Sequence, residues 1–203
     1  MPPQTLTTEG YLLRKKSDLE SFHRYDVFAS NNGLVHCLQR VSRRGTLKVQ
    51  PDLFDLLDLD LEQTGGGPAW FIRDCRLIRR FSRLGKDYLA LTEASRFSSV
   101  LLKNLIHTES FSPVYSLYRN ALDSWEQGIS PRAVYFKAVF RYARHEGYPV
   151  KEEWWGQLPE NERAAAAAIL STPVKKLPRD LPEIANLVSL LQGWVTSRTD
   201  ILL

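Results

Sequence analysis

The chain has 203 residues, and Lys plus Arg exceed Asp plus Glu by only 27 − 23 = 4. That length accommodates one domain or two small ones with a real core, and the apolar and charged fractions are those of a soluble globular protein. So mild a charge excess does not by itself imply a nucleic-acid partner; where the cations sit matters more than their sum. No apolar run approaches the ~20 residues of a membrane helix. The first residues, Met1 to Thr5, lack a basic region followed by an apolar stretch, so the sequence predicts a cytoplasmic protein.

Up to about residue 80 the pattern is that of β-strands. Five runs qualify: Thr5–Arg14, Phe22–Ala29, Gly33–Val41, Leu53–Glu62 and Ala69–Arg79. Asn31, Asn32 and Gly33 form a hairpin turn signal, because Asn and Gly accept the positive φ of tight turns. Gly65 to Pro68 reads as a second turn. In the fourth run Leu57, Leu59 and Leu61 alternate with Asp58, Asp60 and Glu62, giving one buried and one wet face. Cys37 and Cys75 fall within strand-like runs and read as reduced, buried residues, with no CxxC to hold a metal.

After about residue 82 the period becomes helical. One helix is predicted from about Lys86 to Ile106, with Ala94, Phe97, Leu101 and Leu105 on one face. A second follows the Ser112–Pro113 pair, with a stripe of Val114, Leu117, Tyr118, Ala121, Leu122 and Trp125. A third begins at Pro131 and ends near Glu146 before Gly147, a left-handed cap. Ser112 and Ser130 are expected to cap their helices. Pro159 opens another helix, and the last runs from Pro182 to about Thr196 with Ile184, Leu187, Val188, Leu191 and Val195 inward. The fold class expected is α+β: an OB-fold-like five-stranded barrel over residues 1–81, then an all-helical domain over 82–203. An SH3-like barrel fits the pattern almost as well.

Between the third and fourth strands lie four cations, Arg40, Arg43, Arg44 and Lys48, beside Gly45. Such a loop can follow a phosphate backbone without reading bases, and a solvated surface loop is the bland alternative. Arg14, Lys15 and Lys16 at the end of the first strand and Arg24 on the second complete the DNA-binding candidates, with Phe22, His23 and Tyr25 as stacking surfaces or core. Arg73, Arg76, Arg79 and Arg80 form a second basic set that would neutralise the acidic fourth strand if the two pair. Chemistry is poorly represented. The four histidines have no metal-ligand spacing, and His36 and Cys37 point to opposite faces of a strand. Asp58 and Asp60 share a wet face, without the further ligands a metal-dependent nuclease needs. The sequence predicts a protein that is not an enzyme.

The order of parts is similar to that of the RecO recombination-mediator family of bacterial DNA repair. Glu9 to Leu13 looks like that family's first strand, and Tyr25 to Gly33, leading into Leu34–Val41, like its second strand and turn. Val41 to Arg44 resembles its basic loop, Pro51 to Phe54 the segment after it, and Phe136–Phe140 through Gly147 and Tyr148 a helix ending in Leu-Gly-Tyr. The resemblance covers about residues 5 to 150. It implies a nucleoid-associated protein that binds single- and double-stranded DNA, anneals complementary strands and helps load recombinase in response to DNA damage. Its implied partners are RecR and the C-terminal tail of single-strand-binding protein. By the same resemblance Arg43 and Arg44 match loop arginines that contact DNA, and Lys137 falls where a basic residue serves tail binding. Many members carry a four-cysteine zinc site after the Gly-Tyr element. Here Pro149 to Trp155 contains no cysteine, so no zinc or other cofactor is expected, and Trp154 and Trp155 would fill that space. The alternative is a protein–protein adaptor whose barrel has lost nucleic-acid binding.

Overall fold

The computed structural model describes residues 3–17, 21–40, 50–63 and 69–203. Arg43, Arg44, Lys48 and the turn at Gly65 to Pro68 lie outside the described residues. The chain is α+β, a five-stranded sheet followed by helices, and divides into two compact units: residues 1–81 with 105–115, and residues 82–104 with 116–203.

In the first unit the strands are β1 (Gln4–Lys16), β2 (Phe22–Ala29), β3 (Gly33–Arg40), β4 (Leu56–Gln63) and β5 (Trp70–Arg79). Their hydrogen-bonded order is β1-β2-β3-β5-β4, and β4 pairs back onto β1, so the sheet closes on itself. All pairings are antiparallel except a short parallel one, Cys37 with Trp70 and Leu38 with Phe71. The inside is filled by Leu12, Tyr25, Val27, Val35, Leu57 and Leu59 among others. Each fully buried leucine there contributes about 1.5–3 kcal/mol. Gly10 is required by close approach, since a Cβ would stand 2.4 Å from Val27 Cγ1 and 2.8 Å from the Phe28 carbonyl. The hairpin turn falls where the sequence places it, with Gly33 at φ 65°.

The fourth strand begins three residues later than its alternation suggests. Asp55 is fully buried; its carboxylate accepts the Asp52 amide at 2.9 Å and the Arg80 guanidinium at 2.6 and 2.9 Å. Those bonds turn the chain through Phe54, at φ 69°, and dock it where β1 bulges between Leu12 and Arg14. The Leu12 amide donates to the Asp55 carbonyl, and the Phe54 amide to the Leu12 carbonyl. Residues 105–115 join this unit. Their Tyr115 ring lies 5.1 Å from Tyr11 and 5.4 Å from Phe28, covering the outer side of β1 and β2 at that end.

In the second unit the helices are α1 (Tyr88–Asn104), α2 (Phe111–Glu126, its first turn counted with the sheet unit), α3 (Pro131–His145), α4 (Glu153–Gln157), α5 (Glu160–Ser171) and α6 (Ile184–Arg198). α3 packs against α1 and α6, and its residues from Ala133 to Phe140 are all buried. Gly147 takes φ 87° after it. Trp154 is buried against Phe136 and Phe140, at 5.9 and 6.1 Å. The Asn104 side chain donates to the Leu202 carbonyl and accepts the Leu202 amide, both at 2.9 Å, fixing the chain end to α1. Two expected caps are corrected. α2 starts at Phe111, ahead of Ser112, and Ser130 precedes α3 without a side-chain capping bond. Among the described residues no helix is long and apolar enough to cross a membrane.

Candidate nucleic-acid interface

Strand alternation decides which side chains leave the closed sheet. Tyr25 and Val27 are in the core, so Phe22, Arg24, Asp26 and Phe28 face outward from β2. Register then builds rows across neighbouring strands. Lys16 lies opposite Arg24, Arg24 opposite Leu38, and Leu38 beside Phe71, a single row over β1, β2, β3 and β5. At its edge Phe22 pairs with Arg40, and the Phe22 and Phe71 rings meet edge-on at 5.9 Å. Lys16, Arg24 and Arg40 are exposed, while Phe22, Leu38 and Phe71 are half-buried. The result is an apolar, partly aromatic strip flanked by three cations.

The next row behaves differently. Asp26, 3% exposed, accepts from Arg14 Nε at 2.5 Å and meets His36 Nδ1 at 2.6 Å. Its carboxylate thus engages both cross-strand neighbours and subtracts Arg14 from the cations offered to a ligand. Lys15 points away from this face, with Nζ donating to the Pro51 carbonyl at 3.0 Å. Of the expected binding residues, the structure therefore brings Lys16, Arg24 and Arg40 together, ties down Arg14 and Lys15, and leaves Arg43, Arg44 and Lys48 outside the described residues. Of the two readings of Tyr25, stacking surface or core, the structure shows core. Its hydroxyl donates to Gln39 at 2.7 Å, and burial, aided by Cys75, pushes its pKa up to about 12. Leu38 and Phe71 were missed because only the parallel β3–β5 pairing, which periodicity does not encode, sets them beside Arg24.

The opposite side of the sheet is acidic. Asp58, Asp60 and Glu62 leave β4 outward. Arg76 pairs with Asp58 at 2.5 Å and Arg73 with Glu62 at 3.1 Å, while Thr7 donates to Asp60 at 2.8 Å. Arg80 binds Asp55, and Arg79 stacks over Phe81 at 4.4 Å. Of the second basic set, Arg73 and Arg76 thus pair with two of the β4 carboxylates. Asp58 and Asp60 are engaged in these bonds, and among the described residues no cluster of three or more His, Cys, Asp or Glu could hold a metal ion. Cys37 and Cys75 are buried and free; burial chiefly raises both thiol pKa values, Cys75 to about 11.

Lys137 in the helical unit is not the exposed ammonium expected. The residue is 3% exposed, and Nζ donates to the Thr172 carbonyl and, at 3.4 Å, to that of Leu170. It thereby satisfies the carbonyl end of α5. Burial, then the nearby Arg141, lowers its pKa to about 8. Arg141, one turn further along α3, is exposed and lines the same shallow depression of about 60 Å³ with Leu117, Ala121 and Val174.

No known family model matches the chain, and none of the curated proteins is significantly similar to it.

Proposed function

We propose that the chain is a non-enzymatic DNA repair and recombination mediator of the RecO type, with the closed sheet serving as an OB-type barrel. The strand order β1-β2-β3-β5-β4 with a parallel β3–β5 contact supports the barrel assignment. The observation that carries the reading is the row of Lys16, Arg24, Leu38 and Phe71 with Phe22 and Arg40 at its edge. Cations track phosphates while aromatic faces take bases, so a single strand would lie across β2 and β3 and continue onto the basic loop at Arg43, Arg44 and Lys48. Annealing follows from the same charges: cations between two polyanions reduce their repulsion, and no bond is made or broken. With RecR and single-strand-binding protein as partners, the helical unit would recruit the protein side of recombinase loading. There the acidic tail's terminal carboxylate is assigned to Arg141, whose fork suits a carboxylate and whose neighbour Lys137 already serves α5.

The test is oligonucleotide affinity as a function of salt. Three phosphate contacts from Lys16, Arg24 and Arg40 give a log–log slope of about −2 on single strands, at ~0.7 per contact, and the loop arginines steepen it toward about −3.5. A slope near zero discards DNA binding and favours the adaptor reading, for which the acidic outer face of β4 is the supporting observation.

A further inference from the structure

Next to the row of Arg24 and Leu38, the following outward pair on β2 and β3 is Asp26 with His36. Positions two apart share a face of the sheet and lie about 7 Å from one another. The His36 side chain is 50% exposed, that of Asp26 only 4%. His36 Nδ1 lies 2.6 Å from Asp26 Oδ1, so a proton stands between them. An ionised carboxylate only accepts, and the other Asp26 oxygen accepts from Arg14 Nε; the shared proton therefore belongs to Nδ1. Nε2 is left as the nitrogen that gains or loses a proton, on a half-exposed ring. Bare, it offers a lone pair, which repels a phosphate oxygen; protonated, it is a charge-assisted donor. Arg14 already offsets the Asp26 charge, so a proton on Nε2 adds a positive charge to this face and does not merely cancel a negative one.

The charged neighbours are few in kind. Asp26 and, diagonally, Arg24 approach from β2, with Arg14 behind Asp26 on β1. On the other side β5 sets Trp70 and Phe71 beside Cys37 and Leu38, and its first charged residue, Arg73, pairs with Glu62. The 3₁₀ turn Leu105–His107 packs on β3 and carries His107. On β3 itself Arg40 is two outward positions further along.

We propose that His36 is a proton-gated phosphate contact: with Nε2 protonated it donates to the backbone of a single strand lying across β2 and β3, and with Nε2 bare it does not. This rests on the DNA-binding reading of the sheet unit and adds a regulation to it. Histidine is the side chain whose charge ordinarily changes between about pH 5 and 8. Only the protonated ring contacts the strand, so acid tightens binding and, by linkage, the strand draws a proton onto Nε2.

The test is binding of oligothymidylate, whose bases do not titrate in this range, at about pH 5.5 and about pH 8 over a series of salt concentrations. In about 0.1 M salt the parent should bind about fivefold tighter at the lower pH, with a log–log slope steeper by ~0.7, the share of one phosphate contact. His36→Gln, whose amide can still donate to Asp26, should bind alike at both pH values, whereas His107→Gln should keep the parent's difference. Adding the strand at about pH 7 should move the His36 ring nitrogen resonances of the ¹⁵N-labelled full chain toward the protonated form. Salt-dependent binding with the same affinity and slope at both pH values overturns the His36 contact and leaves the DNA reading standing. So does a pH difference that survives His36→Gln, or a His36 ring unmoved by the strand. A slope near zero at both pH values overturns the contact together with the DNA reading.

Discussion

The outer faces of β2 and β4 belong to one closed sheet and both lie among arginines, yet they present opposite charge. On the β4 side the arginines of β5 stand across from carboxylates: Arg76 opposite Asp58, and Arg73 within 3.1 Å of Glu62. On the β2 side Lys16 stands opposite Arg24 in the register, and the carboxylate of Asp26 is taken up by Arg14 and His36. A count of basic residues ranks the two faces alike. Register separates them, because it decides which residues stand opposite one another across the strands.

The contrast breaks most readily at Arg24 and Arg40. Replacing both with alanine removes two phosphate contacts, each worth ~0.7 log units per tenfold of salt. Affinity for a single strand at 0.1 M salt should then fall by about 25-fold relative to the parent, with the slope flatter by about 1.4. Removing Arg73 and Arg76 from the other face should leave affinity within about twofold. Equal losses from the two pairs would show that overall charge, and not register, governs binding.

A second effect concerns stability. Asp55 and Asp58 both pair with β5 or the residue after it, but Asp55 is buried and also holds the Asp52 amide, whereas Asp58 is part-exposed. Asp55→Ala should lower the unfolding free energy in urea by about 2–3 kcal/mol, since it removes charge-assisted hydrogen bonds and leaves the Asp52 amide unpaired. Asp58→Ala should cost about 0–1 kcal/mol, the value of a surface pair. A similar loss from each would mean that the turn at Phe54 does not depend on the Asp55 carboxylate.

Much of this was legible in the sequence. Alternation of Leu57, Leu59 and Leu61 with Asp58, Asp60 and Glu62 places the fourth strand and its two faces, and the stripes on α2 and α6 place those helices, because burial imposes its period directly on composition. The start of β4 was not legible: Leu53 to Asp55 continues the strand pattern, but the Asp55 carboxylate satisfies an amide and a guanidinium only if the chain turns there. The site was half legible. Lys16 and Arg24 are conspicuous as cations, but their neighbours Leu38 and Phe71 arrive through a parallel pairing between strands more than thirty positions apart in the chain. Lys137 was misread for a related reason. A basic residue in a helix looks exposed until the carbonyl end of another helix, α5, is set against it.

The smallest expected effect separates cost from purpose. Among the like-charge pairs across strands are Lys16 with Arg24 on one face and Asp60 with Asp74 on the other. Neutralising one member of either pair, Lys16→Gln or Asp74→Asn, should stabilise the fold by about 0.2–1 kcal/mol, and by less in high salt, because repulsion between exposed charges is screened. The two should differ in binding. Lys16→Gln should weaken a single strand by about fivefold at 0.1 M salt, one phosphate contact at ~0.7 log units, and Asp74→Asn should leave it unchanged or strengthen it slightly. A cation pair that costs stability and yields affinity belongs to a surface shaped for a polyanion. If Lys16→Gln stabilised the protein and left affinity intact, the opposition of Lys16 and Arg24 would be an accident of register, and the row across β1, β2 and β3 would lose its claim to DNA.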